Sequence, residues 1–171
     1  MITHIQVDPA LHHENPPPCS ANSTNLSVAL TALLTVMFAV YFKTKYFRWQ
    51  VSDPRSGDLH LLLHKQAIQI LATTDIIAGR VPKRGGETIE AIGHIGRLQD
   101  IEDDDADDVA PRDILLELLN DNQLLTEQMR GLYALCDEGG DVASASVIET
   151  WIDVAQCRAW FLLQAVRSTP R

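Results

Sequence analysis

Two histidines stand at a spacing suited to binding one metal ion. His60 and His64 are four residues apart, so on a helix they lie one above the other on the same face. Two imidazole nitrogens placed in this way can converge on a single ion. The same spacing also suits solvated or packed histidines, so the pair indicates a candidate site and does not decide its role.

A carboxylate farther along the same segment could complete this site only from another copy of the chain. Asp75 lies 11 residues after His64, which is about 16 Å along a helix axis at 1.5 Å per residue. Within one chain it therefore cannot share an ion with the two histidines. An antiparallel second copy could bring its own Asp75 into range, so the spacing favours a site between two subunits.

The elements that must position these residues are all predicted to be helices. Strand patterns are missing from the sequence, and apolar residues recur at spacings of three and four. Four long helices are predicted, with these inward positions: Leu26, Leu30, Leu33, Met37 and Tyr41; Leu59, Leu62, Leu63, Ile70, Leu71, Ile77 and Val81; Ile114, Leu115, Leu118, Leu125, Met129 and Leu132; Val147, Ile148, Trp151, Ala155 and Phe161.

The boundaries of these helices predict the topology of the bundle. Asp53-Pro54 is a start signal for the second helix, Pro82 and Gly85-Gly86 stop it, and Pro111 opens the third. The connection between the second and third long helices is about 25 residues long and contains a small helix at 88–99. Neighbouring helices in a simple up-and-down bundle are usually joined by about two to eight residues. One long crossover in a four-helix bundle is the ferritin-like topology.

The first helix is apolar enough to raise the question of a membrane span. Residues 26–42 carry no charge and approach the roughly 20 residues that cross a bilayer. Ser27, Thr31 and Thr35 recur on one face and large apolar residues line another, which is typical of a buried bundle helix. We therefore predict a core helix, a flexible arm over residues 1–22, a bundle domain over 23–168 and a short tail over 169–171.

Composition and charge restrict the compartment and the partners. The 171 residues fit one domain, and 23 acidic against 14 basic side chains give a net charge of −9. No Lys or Arg precedes Lys43, so DNA binding is not expected. Three cysteines without a close pair suit a reducing cytosol, and the opening "MITHIQVD" lacks the pattern of a secretory signal.

An extended resemblance adds what periodicity alone does not supply. The segment "KTKYFRWQVSDPRSGDLHLLLHKQAIQILATTDIIAGRVPKRGG" resembles the signature region of the Dps family, the mini-ferritins named as DNA-binding proteins from starved cells. The resemblance continues through "IGHIGRLQ", "LLELLNDNQLL" and "CDEGGDVASASVIETWIDVAQCRAWFL" and covers about residues 25–165. It implies a cytoplasmic, hollow homododecamer that takes up iron and oxidises Fe(II), with hydrogen peroxide as the expected oxidant.

The resemblance also implies where an oxidation centre belongs and how this chain departs from it. The family's ferroxidase ligands fall on Arg48, His60, His64, Asp75 and Gly79. Only His60 and Asp75 match the family pattern. Arg48 replaces a histidine, His64 replaces an aspartate, and Gly79 replaces a glutamate.

The replacements bear directly on what the site can do. A guanidinium is a permanent cation that binds carboxylates, so Asp75 is interpreted as an ion-pair partner of Arg48 in preference to a metal ligand. Trp49 lies near the iron centre in the family, but a large aromatic side chain at a subunit contact is also ordinary packing, and core packing is an adequate interpretation of this residue. For metal binding the candidates remain His60, His64 and Asp75, with iron expected and zinc as the other option.

Two functions of different classes follow. The first is an iron-storing and iron-detoxifying mini-ferritin with impaired Fe(II) oxidation; the second is a non-catalytic shell or a container for another divalent metal such as zinc. The family's three-fold pores are lined by carboxylates near the start of the last helix, where Asp141, Glu149 and Asp153 are the candidates. Val142 and Ser146 stand where relatives are often acidic, which weakens the expected pore.

Overall fold

A computed structural model of the protein describes residues 21–51, 57–98, 101 and 110–169. These residues form five α-helices and no strand. The helices are α1 (Ala21–Gln50), α2 (Gly57–Ala78), α3 (Ile92–Leu98), α4 (Pro111–Glu138) and α5 (Val142–Ser168). The predicted all-α fold is confirmed. The described residues do not include Asp53-Pro54, most of the arm over residues 1–22, or most of the acidic run over residues 100–108. The expectations for these segments stay predictions.

The four long helices pack as two pairs. α1 packs along α2, α4 packs along α5, and contacts between α1 and α4 join the pairs. The long connection over residues 79–110 contains α3, which packs on α1. This is the predicted ferritin-like arrangement of a four-helix bundle with one long crossover.

The exit from α2 shows how closely the crossover approaches α1. α2 ends at Ala78, before the predicted stop at Pro82, and residues Pro82–Arg84 form a 3-10 helix capped by Gly85 at φ 75°. A Cβ atom on Gly86 would lie 2.5 Å from the Cβ atom of Ser27. Only glycine fits between the crossover and α1 at that point.

Two apolar clusters fill the bundle, one toward each end. The first includes Leu34 and Met37 of α1, Ile70 and Ile77 of α2, Met129 of α4, and Ile148 and Trp151 of α5. The second includes Phe47, Leu63, Leu115, Leu118 and Leu162. Each large side chain that is fully buried contributes about 1.5–3 kcal/mol to folding. The clusters therefore supply the main force that holds the four helices together.

A layer of buried polar side chains separates the two clusters. This polar layer consists of Lys43, Gln66, Asp121, Asn122 and Arg158, one or two from each long helix. Lys43 Nζ lies 2.5 Å from Glu117 Oε1 and 3.0 Å from Asp121 Oδ2. Burial alone would lower the pKa of Lys43, but the two carboxylates outweigh it and the pKa is raised. Because a buried charge needs its partner, these contacts tie α1 to α4 at one register.

Two inward assignments need correction. Leu71 and Phe161 are about half exposed, because none of the described residues of the subunit covers their sides of α2 and α5. The hydroxyl face of α1 is buried as well as its apolar face: Thr35 Oγ1 donates to the carbonyl of Ala32 at 2.7 Å, and Thr31 Oγ1 to that of Glu87 at 3.3 Å. α1 is enclosed because α2, α4 and the crossover all pack on it.

The burial of α1 also bears on the membrane question. By length and composition alone α1 could cross a bilayer, but 56% of its apolar window is buried inside the bundle. A helix that is apolar on several faces is expected when other helices surround it. The burial supports the predicted core helix.

Candidate metal site on the exposed face of α2

One stripe of α2 carries the site residues and is not covered by the subunit's own bundle. At about 100° of rotation per residue, five residues fall within a sector of about 80°. These stripe residues are His60, His64, Ile68, Leu71 and Asp75. Ile68 is 53% exposed and Leu71 41% exposed, whereas Leu63, Ile70 and Ile77 on the opposite side are fully buried. The helix thus presents both its candidate ligands and its uncovered apolar residues in one direction.

The histidine pair retains an uncommitted ring nitrogen. Both rings are half buried, and His64 Nδ1 is buried without a hydrogen bond to any of the described residues. Buried polar atoms in folded proteins are nearly always paired. The unpaired His64 nitrogen is therefore a candidate ligand atom whose partner lies beyond the described residues.

Arg48 lies at the histidine end of this stripe. It belongs to the last turn of α1, next to Phe47, which shares an apolar cluster with Leu63 of α2. The Arg48 side chain is half buried, and its Nε atom has no hydrogen-bond partner among the described residues. Asp75 is exposed toward the other end of α2. An ion pair between Arg48 and Asp75 therefore requires the Asp75 of a second copy.

Gly79 is not required by the backbone at its position. Its amide donates to the carbonyl of Asp75 at 3.0 Å, which continues the last turn of α2. A Cβ atom there would lie 3.4 Å from that carbonyl oxygen and 3.8 Å from that of Ile76, both ordinary contact distances. A glutamate side chain therefore fits at residue 79 without strain.

A single subunit does not hold a complete metal site in the part of the chain that the structure describes. No group of three or more His, Cys, Asp or Glu side chains is close enough to share an ion there. Structural and catalytic transition-metal sites need at least three protein ligands. A complete site on the α2 stripe therefore needs ligands beyond those that the described residues of one subunit bring together.

Trp49 is not part of the subunit's core. It is 63% exposed, and its ring lies 5.7 Å from Lys45 Nζ. A large aromatic side chain left in solvent at the end of α1 is available to a neighbouring molecule. The exposure contradicts core packing of Trp49 within the subunit, and its packing at a subunit contact stays a prediction.

The three pore candidates are in different environments. Glu149 and Asp153 are exposed on α5. Asp141 is buried as the N-cap of α5, where its Oδ1 accepts from the amide of Ser144 at 3.1 Å and its Oδ2 lies 2.6 Å from Arg84 Nη2. Burial alone would raise the pKa of Asp141, but the Ser144 and Arg84 contacts outweigh it and hold the pKa below its usual value. The Asp141 carboxylate is committed within the subunit.

The depressed pKa predicts a pH-dependent contribution of Asp141 to stability. Replacing Asp141 by Asn should lower the free energy of unfolding at neutral pH by about 1–3 kcal/mol, because Arg84 loses its partner and the cap is weakened. A carboxyl group with a depressed pKa stabilises the fold above its unfolded pKa, and this contribution is lost as the pH falls through the folded pKa. The difference from wild type should therefore shrink below about pH 4.

Urea unfolding of both proteins across this pH range measures the Asp141 effect. Asp137→Asn, at an exposed neighbouring position with the same charge change, is the matched control and should change stability by less than about 0.5 kcal/mol. If the difference in free energy of unfolding between wild type and Asp141→Asn stayed constant from about pH 7 to about pH 3, the pKa of Asp141 would not be depressed.

The sequence matches a known protein family, and the fold is similar to those of solved structures. The profile of the ferritin-like domain family matches residues 28–171. The fold is similar to that of Dps from Thermosynechococcus elongatus, with a TM-score of 0.80 and 20% identity over 86% of this chain and 95% of that one. It is also similar to DpsC from Streptomyces coelicolor, with a TM-score of 0.81 and 23% identity over 91% and 92% of the two chains.

A third solved structure carries a description of its chemistry. The Dps protein from Vibrio cholerae O1 has a TM-score of 0.78 and 19% identity over 85% of this chain and 91% of that one. That protein is described as a member of a broad superfamily of ferritin-like diiron-carboxylate proteins. None of the curated proteins matches this chain significantly in sequence. At these identities the structural likeness concerns the fold.

Proposed function

The chain belongs to the ferritin-like family, and from this premise we propose that it is a Dps-like subunit of a hollow shell that stores and detoxifies iron. The observation that carries the proposal is the uncovered stripe of α2, where candidate ligands and exposed apolar residues face the same way. We further propose that Fe(II) oxidation at this stripe is impaired, because the side chains at positions 48 and 79 no longer suit a pair of iron ions.

Assembly follows from the arrangement of the stripe. Two copies of α2 packed antiparallel would place His60 and His64 of each near Asp75 of the other and would cover Ile68 and Leu71. Burying these half-exposed side chains stabilises such a contact by removing apolar surface from water. We propose a closed homododecamer in which this contact is the two-fold interface.

The oxidation chemistry makes demands that this stripe meets only in part. Hydrogen peroxide takes two electrons and two protons to give two waters, and each Fe(II) supplies one electron, so two irons must lie close together. Carboxylates offset the charge of such a pair and bridge the ions. Gly79 supplies no side chain, and Arg48 adds a fixed positive charge that cannot be removed by titration. The pair of ions is therefore poorly stabilised.

The remaining ligands suit a single ion. His60, His64 and Asp75 of a second copy give two imidazoles and one carboxylate, a set that binds zinc or Fe(II). The unpaired Nδ1 of His64 supports this arrangement. It is also the observation that favours the second candidate function, a shell that is non-catalytic or that holds another divalent metal such as zinc.

The charge of the chain bears on compartment and partners. The shell would be acidic in every subunit, with 23 acidic against 14 basic side chains. No Lys or Arg occurs in the first 42 residues of this sequence, so that segment offers no cations to neutralise DNA phosphates. We propose a cytoplasmic iron shell that does not condense DNA.

Iron retention by the assembled protein tests the storage function. Metal-free protein given Fe(II) and hydrogen peroxide is expected to elute from a sizing column with ferric iron at the volume of the shell. A variant that does not assemble has no cavity and serves as the matched control. If the iron precipitates or elutes free of an intact shell, storage is disproved. Zinc that copurifies and is lost in His60→Ala would support the second candidate.

A further inference from the structure

A small cavity opens between α2 and α5, away from the candidate metal site. Its volume is about 260 Å³, near the lower limit of roughly 300 Å³ for pockets that bind small molecules. Asp58, Lys65 and Cys157 are exposed at its mouth, while Gln66 and Arg158 of the polar layer line its floor. A cavity of this size suits a small ion with a few waters better than a cofactor.

The floor of the cavity contains a buried cation, Arg158, that forms no ion pair with a carboxylate of the described residues. Arg158 is only 3% exposed. Its Nε donates to Asn122 Oδ1 at 2.9 Å, whereas its Nη2 is buried and has no hydrogen-bond partner among the described residues. Burial lowers the pKa of Arg158 to about 10. Lys43, the other cation of the polar layer, is by contrast held by two carboxylates.

Gln66 adds an unpaired acceptor to the floor of the same cavity. It is also 3% exposed, and its Nε2 donates to the carbonyl of Arg158 at 3.3 Å. Its Oε1 is buried with no hydrogen-bond partner in the described part of the chain. Folded proteins rarely leave such buried polar atoms unpaired. A ligand that satisfies both must accept one hydrogen bond and donate another.

The charges around the cavity favour an anion. Arg158 and Lys65 are positive and Asp58 is the one negative side chain among the residues that line it, so the net charge is +1. A guanidinium suits phosphate and carboxylate oxygens because its donors lie in one plane. The acceptor Gln66 Oε1 selects among oxyanions for those that keep a hydroxyl group.

We infer that this cavity binds a small oxyanion that carries its own proton, with hydrogenphosphate as the ligand that fits best. Its unprotonated oxygens accept from Arg158 and Lys65, and its hydroxyl donates to Gln66. Sulfate has a similar shape and charge but no hydroxyl at neutral pH, so it binds more weakly. Phosphate binding here does not depend on whether the shell stores iron.

Isothermal titration of the full-length, assembled and iron-free protein with inorganic phosphate tests this site. Iron must be removed because ferric mineral adsorbs phosphate. We expect saturable binding of phosphate and at least about ten-fold weaker binding of sulfate at the same ionic strength, because sulfate leaves Gln66 Oε1 unpaired.

Two variants and one control locate the binding. Gln66→Glu should abolish phosphate binding and leave a folded shell, since the new carboxylate pairs with Arg158. Lys65→Gln should weaken binding about three-fold or more, because one cation at the mouth is lost. Lys83→Gln, the same change at an exposed residue beyond the far end of α2, should leave phosphate affinity unchanged.

Several outcomes would overturn the inference. These are no saturable phosphate binding by the wild type, equal affinity for sulfate, or full phosphate binding by Gln66→Glu. Equal loss of affinity in Lys65→Gln and Lys83→Gln would also overturn it, because the effect would then come from net charge and not from the cavity.

Discussion

The triple variant Arg48→His, His64→Asp and Gly79→Glu is expected to oxidise Fe(II) with hydrogen peroxide at least about ten-fold faster than the unmodified protein. The three changes remove a fixed cation and add carboxylates at residues 64 and 79, so a pair of irons gains ligands and charge compensation. The structure accommodates the largest change, because a side chain at residue 79 meets only ordinary contacts.

Two further variants separate the contributions within this prediction. Arg48→His alone should accelerate oxidation less, because the carboxylate missing at Gly79 remains missing. His60→Ala in the triple variant should remove the gain, since it deletes a ligand that the chain already has. If the triple variant assembles into an intact shell and oxidises Fe(II) no faster than the wild type, the replaced side chains are not what limits oxidation.

Ile68→Asp is expected to dissociate the shell into smaller species. Ile68 lies midway between His60 and Asp75, so an antiparallel contact that pairs those two residues brings Ile68 against its own copy. Two aspartates facing each other there would be buried as like charges, at a cost of several kcal/mol for each contact. The subunit itself should keep its helices, because Ile68 is 53% exposed and supports none of its own core.

Sizing with light scattering measures the Ile68 effect, and circular dichroism checks that the variant is folded. Ile68→Leu is the matched control, since it keeps an apolar side chain of the same volume and should assemble normally. A folded Ile68→Asp variant that elutes with the mass of the wild-type shell would contradict the proposed two-fold contact.

The fold could largely be predicted from the sequence, because the helical spacing of apolar residues follows their burial in the bundle. All six inward residues predicted for α4 are buried. The misassignment of Leu71 has a physical reason: Leu71 is apolar but lies on the stripe that we propose faces a second copy, so periodicity cannot assign its partner. Thr35 is polar but satisfies its hydroxyl on its own helix, so it can be buried at little cost.

The candidate site could be predicted only in part, because spacing along one helix says nothing about contacts with distant parts of the chain. Spacing alone places His60, His64 and Asp75 on one face of α2, and the structure agrees. The partners of Arg158 could not be read from spacing, because its contact with Gln66 joins residues 92 positions apart. Its one sequence signal is a cation within the apolar stretch "CRAWFLL".

Stopped-flow measurement of peroxide-driven Fe(II) oxidation by the unmodified shell, beside His60→Ala, tests the central claim most directly. An impaired centre predicts slow oxidation that does not saturate with Fe(II) and is the same in both proteins. Fast, saturable oxidation that His60→Ala abolishes would contradict the account, because the α2 stripe would then hold a working oxidation centre despite Arg48 and Gly79.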